Sequence, residues 1–384
     1  MQIKTKAWWH REGPLLVSLL LMIFLLWLPT GFEAAVIYQG TVHCTAEVLA
    51  VDDSHIIDTG LVRSGEQNCT VRFLNGRFRG QEAEGYNMLA GSLEADKIFA
   101  VGDKALVVIH HEGERIISVN MIDHFRLGKE AVLAGLFAAL LLVFAGRTGL
   151  RAILSFGLTV LLLWKVLVPC YLRGLSPVPM GLAVTLAITV ITISLVYGFE
   201  RRALAAVSGT ALGILVTALA GGLSTQWLMI HGAVMSYSES LLYSGYQHLD
   251  LTQIFMASIF IGSSGALMDL AVDITSAVQE VVEKRPDISR WEAIRSGLNV
   301  GRAAMGTMTT TLLLAYSGGY IALLMVFMAQ GTPIDNILNY KYVSAEIIDT
   351  FVGSAGLITV APFTALTSGW LLAERGKTDK QNNV

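Results

Sequence analysis

The sequence predicts an α-helical polytopic membrane protein of about eight spans, carrying one small extracytoplasmic all-β domain, a barrel or a sandwich. Three observations lead there. Of 384 residues, 53% are hydrophobic and only 15% charged, against about 25% charged in soluble proteins. The apolar residues gather in runs near the ~20 residues that a bilayer crossing needs. Between the first two of those runs, residues 36–125 change to charges, glycines and short alternating patterns.

Several function classes fall away at once. The net charge of −3 carries no nucleic-acid signature. The sequence has no zinc-ligand spacing, no GxxxxGK[ST] phosphate loop and no repeat of fixed period. The expectation is therefore a chain without catalytic residues, metal or cofactor, not an enzyme and not an ATP-driven engine.

In chain order, a cytoplasmic N-terminus (1–13) with Lys4, Lys6 and Arg11 precedes the apolar run Pro14 to Pro29. Phe32-Glu33-Ala34-Ala35 puts Phe or Glu where signal-peptide cleavage wants a small residue, so 14–31 reads as a retained anchor. In the domain at 32–127, strands are expected over Thr41 to Val51, Gln67 to Leu74, Gln81 to Tyr86, Lys104 to Ile109 and Ile116 to Ile122. Turn signals stand at Asn75-Gly76, Val101-Gly102-Asp103 and Glu112-Gly113-Glu114. Cys44 and Cys69 both fall in this domain, and spacing leaves open whether they pair. Asn68-Cys69-Thr70 matches a glycosylation triplet, a pattern frequent by chance.

After Lys129 the expected spans are 130–146, 149–169, 177–198, 203–222, 253–282, 303–328 and 349–372: four helices within 128–224, an outer amphipathic connection at 225–252, and a three-helix core at 253–373. Basic residues lie in alternate connections, at Arg147 and Arg151, Arg201 and Arg202, Lys284 to Arg302, and in the tail 374–384. That distribution places both termini in the cytoplasm and the β domain outside. Lys165, near an outer helix end, is expected to snorkel. His231 and His248 read as interfacial residues among Trp227, Tyr237, Tyr243 and Tyr246. Ser289 to Glu292 is a capping box opening an amphipathic helix at 287–300, expected along the cytoplasmic surface. Gly209 and Gly213 form a small-xxx-small packing pair.

The run Gln253 to Val282 carries Asp269 and Asp273, one helical turn apart. A carboxylate at membrane depth costs at least ~2.5 kcal/mol, so the pair calls for a function. Gly262, Gly265, Ser276 and Glu280 share roughly their face, and the expectation is that this face points at other helices. Thr309 and Thr310 on the next span are candidate hydrogen-bond partners for the two Asp, although a membrane threonine also closes on its own backbone. Asp269, Asp273 and Glu280 are thus the candidate proton- or ion-coupling residues. A non-transporting scaffold, in which the Asp pair only locks helices and the β domain recruits a partner, stays open beside that reading. An intramembrane aspartyl protease is set aside, because its two Asp would stand on facing helices.

Gly265 to Glu280, GALMDLAVDITSAVQE, with TTTLLLAYSGG at Thr309 to Gly319, resembles the membrane core of SecD/SecF and RND exporters. Gly265, Asp269, Glu280 and Thr310-Thr311-Leu312 fall on the SecD positions, whereas Asp273 has no counterpart there. Over nearly its whole length the chain resembles the YibE/F family, through Gly60 to Gln67, Asp96 to Phe99, Val101 to Lys104 and Gly265 to Val282. The resemblance implies a bacterial inner-membrane location and, since SecD/SecF-type cores work as two halves, a homodimer or a second related chain. Membrane lipid is the other expected partner; the substrate, a small molecule, ion or polypeptide, is not encoded.

Overall fold

The computed structural model describes residues 2–33 and 39–373; the tail expected at 374–384 lies outside them. The chain forms two compact units, one over residues 31–143 and one joining residues up to 30 with those from 144 onward.

In the first unit, β1 (Thr41–Asp58), β2 (Arg63–Phe73), β3 (Glu82–Ala90), β4 (Lys104–Glu112) and β5 (Arg115–His124) close a barrel in the order β1-β2-β3-β5-β4. Closure, not a sandwich, is how this domain removes its sheet edges. All neighbours are antiparallel except β3 and β5, which meet in parallel at Gly85↔Val119 and Tyr86↔Asn120. Gly85 permits that closure, because a Cβ there would lie 2.8 Å from Met121 Sδ. Alternation supplies the core: Cys69, Val71 and Phe73 point inward from β2, with Cys44, Ala46 and Val48 from β1 and Val107 and Ile109 from β4. The tight turns take left-handed glycines where expected, at Gly76, Gly102 and Gly113.

β1 runs seven residues beyond its expected end at Val51. Asp52 to Asp58 are largely polar and exposed, and irregularities between Val48 and Ala50 and between Asp52 and His55 bend the strand so that it still pairs with β2. Two polar side chains sit wholly inside. Gln67 donates to Asp53 Oδ1 (2.8 Å) and Phe99 O (2.9 Å) and accepts from Phe99 N (3.0 Å) and Asn87 Nδ2 (3.1 Å). Asn87 also donates to Lys97 O at 2.7 Å, so the pair ties the β3–β4 connection over the barrel. Cys44 and Cys69 are free. The register sets Cys69 opposite Val51, seven residues along β1 from Cys44, roughly 20 Å at the strand rise and far beyond disulfide reach. Burial pushes both thiols up to about 11.

The helical elements are α1 (Gln2–Trp27), α2 (Leu127–Leu172), α3 (Pro177–Tyr197), α4 (Arg201–Trp227), the short α5 (Ser238–Tyr243), α6 (Leu251–Lys284), α7 (Arg290–Ala329), the short α8 (Ile334–Leu338) and α9 (Lys341–Leu372). Six of them, α2, α3, α4, α6, α7 and α9, are long and apolar enough to cross a membrane, and α1 has a shorter apolar stretch, Glu12–Trp27. The expected spans 130–146 and 149–169 lie within α2, interrupted only at Gly146, whose φ of 53° and ψ of −122° are not helical. The expected surface helix at 287–300 is likewise no separate element. The Ser289–Glu292 capping box starts α7, whose first three turns bury Ala293, Ile294, Gly297 and Gly301. A Cβ on Gly297 would meet Val278 and Ala365 at 2.9 and 3.1 Å, so glycine lets this end of α7 pack on α6 and α9.

Within the second unit small residues set the helix spacing. Gly209 and Gly213 of α4 face Thr364 and Val360 of α9, and Gly356 of α9 faces Thr217 of α4, so those two helices run antiparallel in close contact. α1 lies parallel to the second part of α2: Glu12 pairs with Arg151 at 3.5 Å and Lys165 Nζ donates to Leu28 O at 3.0 Å. Lys165 therefore binds a carbonyl at the C-terminal end of α1, where a cation complements the helix dipole.

Candidate functional site

α6 is the central helix, with α3, α4, α7 and α9 all packed on it. Leu267, Leu270, Ala271, Ile274 and Val278 are fully buried and make that packing. The opposite face carries Ser258, Gly262, Gly265, Asp269, Asp273, Ser276 and Glu280, and every one of these is exposed. The expectation that Asp269 and Asp273 point at other helices of this chain is thus corrected. Burial goes to the aliphatic face, because the glycines that allow close approach, Gly297 and Gly301, lie against Ile274 and Val278.

The predicted companions divide accordingly. Thr309 Oγ1 donates to Met305 O at 3.0 Å and Thr310 Oγ1 to Gly306 O at 3.4 Å, each closing on its own helix and not on either Asp. Glu280 forms an exposed pair with Lys284 at 2.5 Å, one turn along α6, which is the surface use of a carboxylate. Ser276 is bonded to Tyr197 OH at 2.7 Å, and the same hydroxyl donates to Val272 O at 2.6 Å, so Ser276 helps fix α3 against α6. Gly262 and Gly265 line a cavity of about 560 Å³ shared with α2 and α3. Its wall is rich in hydroxyls, among them Thr159, Thr185 and the bonded pair Ser155–Thr192 (2.9 Å), with Arg151 also lining it. The continuous stripe from Ser258 to Glu280 passes its edge.

A second group escaped the sequence reading. Glu346 and Asp349 stand on α9, and one oxygen of each is sealed from solvent without a hydrogen-bond partner; so is the hydroxyl of Tyr316 on α7. Tyr316 is close enough to both carboxylates to interact electrostatically. Its hydroxyl sits between Gly262 and Gly353, at 3.0 and 3.8 Å from where their Cβ atoms would be. The signal was present in the sequence as two carboxylates at i and i+3 beside the last span. Glu346 falls outside the expected span 349–372 and Asp349 on its first residue, whereas α9 begins at Lys341.

Among the described residues no group of three or more His, Cys, Asp or Glu side chains is arranged to hold a metal ion. His231 caps the turn that follows it, accepting from Ala233 N at 3.2 Å, and His248 packs near Tyr246.

Neither a curated protein nor a solved structure matches the chain, so the likeness to SecD/SecF and RND cores rests on the quoted residues alone. The family model described as YibE/F-like protein matches residues 133–374, from within α2 to just past the end of α9. That range is well over half of the sequence and includes α6 and both carboxylate groups, and the chain belongs to the YibE/F-like family.

Proposed function

We propose that this membrane protein is a proton- or ion-coupled transporter, or a protein that assists export, in which carboxylates at membrane depth take up and release the coupling ion. One observation carries the reading: from Ser258 to Glu283 the exposed positions of α6 hold only serine, glycine and carboxylate residues. A face turned to hydrocarbon would be aliphatic, as the exposed Leu212, Leu215, Leu219 and Leu223 of α4 are. Such a stripe belongs against water or against polar protein. The neighbouring hydroxyl-lined cavity and the unpartnered oxygens of Glu346 and Asp349 support the same reading, since unmet polar atoms at this depth are where an ion or proton is exchanged. The exposure of the stripe in a single chain also favours a second reading, in which a second copy or related chain covers it and the protein acts as a scaffold.

Asp269→Asn/Asp273→Asn separates the two. The asparagines keep size and hydrogen bonding but cannot carry charge, and the exposed positions make folding tolerant. The double variant is expected to accumulate normally in the membrane yet reproduce the deletion in an untargeted comparison of cellular metabolites and ions. A fully active double variant would overturn ion coupling and leave the scaffold.

The proposal includes eight crossings with both termini in the cytoplasm of a bacterial inner membrane and the barrel outside. α2 has 46 residues, about 69 Å at the helical rise, more than twice a bilayer's ~30 Å hydrocarbon core. α1 and the second part of α2 run in the same direction, so the chain must cross back between them, and the stretch before Gly146 is available to do so. Cysteines placed at Asn75 and Asp335 are expected to react with an impermeant reagent from outside, and one at Ser289 only after permeabilisation. Labelling of Ser289 in intact cells would refute this arrangement.

A further inference from the structure

We propose that Glu346, Asp349, Thr350 and Tyr316 bind an alkali cation of sodium size through their sealed oxygens, where α9 meets α6 and α7. The inference rests on the coupling reading for its use and deepens that reading by naming the ion. Glu346 Oε1, Asp349 Oδ1, Thr350 Oγ1 and Tyr316 OH are each buried without a hydrogen-bond partner, four of the nine such side-chain atoms among the described residues. Helical geometry brings them together. Glu346 and Gly353 lie in line along α9, and Asp349 and Thr350, neighbours about 100° apart, flank that line. Gly301 and Gly297 of α7 lie on Ala361 and Ala365 of α9, an antiparallel register that sets Tyr316 level with Glu346. Its side chain, directed towards the N-terminus of α7 as helical side chains are, runs down to Gly353.

Thr350 is the independent sign of a ligand. It is only 6% exposed. The buried Thr185, Thr189, Thr210 and Thr217 each donate to the carbonyl one turn back on their own helix. Thr350 makes no such bond. No cation of the protein answers the two carboxylates, neither of which is in an ion pair among the described residues. Lys341, the only basic residue of α9, is exposed and lies over the Tyr342 ring at 5.1 Å. The basic residues of α6 and α7, Lys284, Arg290, Arg295 and Arg302, belong by the same register with the far end of α9. A proton would neutralise a carboxylate yet leave the two hydroxyls unmet, whereas one cation serves all four oxygens, because ligands of one ion face it and not one another. Oxygen alone suits hard cations, not metals that take imidazole or thiolate. Mg²⁺ gives up water reluctantly and Ca²⁺ takes roughly 6–8 oxygens, while two of the four oxygens here are uncharged hydroxyls.

The test follows the thermal unfolding midpoint of the full-length protein in mild detergent as sodium chloride replaces choline chloride at constant ionic strength. Sodium is expected to raise the midpoint to a plateau. Tyr316→Phe and Thr350→Val each remove one ligand together with an unpaired buried hydroxyl. Each should leave the midpoint in choline unchanged or higher, yet raise the sodium concentration for half the shift roughly tenfold. Asp349→Asn should abolish the shift; should it fail to fold, the two hydroxyl variants decide. Asp335→Asn on α8 should respond as the native protein does. No sodium shift, an unchanged shift in the hydroxyl variants, a lower midpoint of both in choline, or a larger shift with Ca²⁺ or Mg²⁺ at equal concentration would overturn the proposal. The readout needs no transport: a fully active Asp269→Asn/Asp273→Asn variant removes the coupling reading and leaves the sodium shift, while an absent shift leaves coupling to protons.

Discussion

Gly209→Ala is expected to lower the thermal midpoint of the purified protein and its abundance in the membrane several-fold. Alanine normally improves a helix interior by up to ~1 kcal/mol over glycine, so the sign of the effect is informative. At position 209 the added Cβ would lie 2.2 Å from Thr364 Oγ1 and 2.7 Å from Thr364 Cα. The hydroxyl can rotate away, but the Cα is backbone, and α9 must shift along its contact with α4. Overpacking of this kind costs about 1–3 kcal/mol, which outweighs the propensity gain, and a loss of that size reduces steady-state levels severalfold. Gly222→Ala on the same helix is the control. Nothing lies within 4 Å of its would-be Cβ, so it should be neutral or mildly stabilising. Equal behaviour of the two variants would show that α4 and α9 are not held at this spacing.

The second large effect is expected inside the barrel. Gln67→Leu keeps the volume but strands the N–H and C=O of Phe99 and removes the acceptor used by Asn87, all within a fully buried setting. Each buried group left without a partner costs about 1–3 kcal/mol. The sum approaches the whole stability of a small domain. Limited proteolysis of the full-length variant should cut within residues 91–103 at protease levels that leave the native protein intact. Glu84→Gln, on the outer face of β3, should not change the pattern. Resistance of Gln67→Leu to the protease would mean that the connection is held by packing of Phe99 alone.

Much of this architecture is legible from the sequence, because bilayer thickness forces apolar runs of a set length and a barrel wall forces alternation. Cys69, Val71 and Phe73 on β2 follow the two-residue period, and Asn75-Gly76 marks its turn. What periodicity cannot decide is which neighbour a face meets. The polar stripe of α6 was visible as a stripe, but its aliphatic face and the glycines of α7 determine which side is covered. Helix ends were hidden where polar residues open a span: Lys341, Ser344 and Glu346 read as a connection, although α9 has already begun. The continuity of α7 was hidden by the opposite effect, since a capping box and an amphipathic turn resemble a separate surface helix.

The free thiols of the barrel bear on how the protein is made. Cys44 and Cys69 are sealed in the core and too far apart to join. Closure of the barrel therefore waits on no oxidant. Its biogenesis can proceed at the pace of strand pairing once residues 41–124 have left the insertion machinery, in aerobic or anaerobic cells alike, and a dedicated thiol oxidase has nothing to act on. Of the three cysteines only Cys170 is part-exposed, so the native chain gives a nearly silent background for site-directed thiol chemistry.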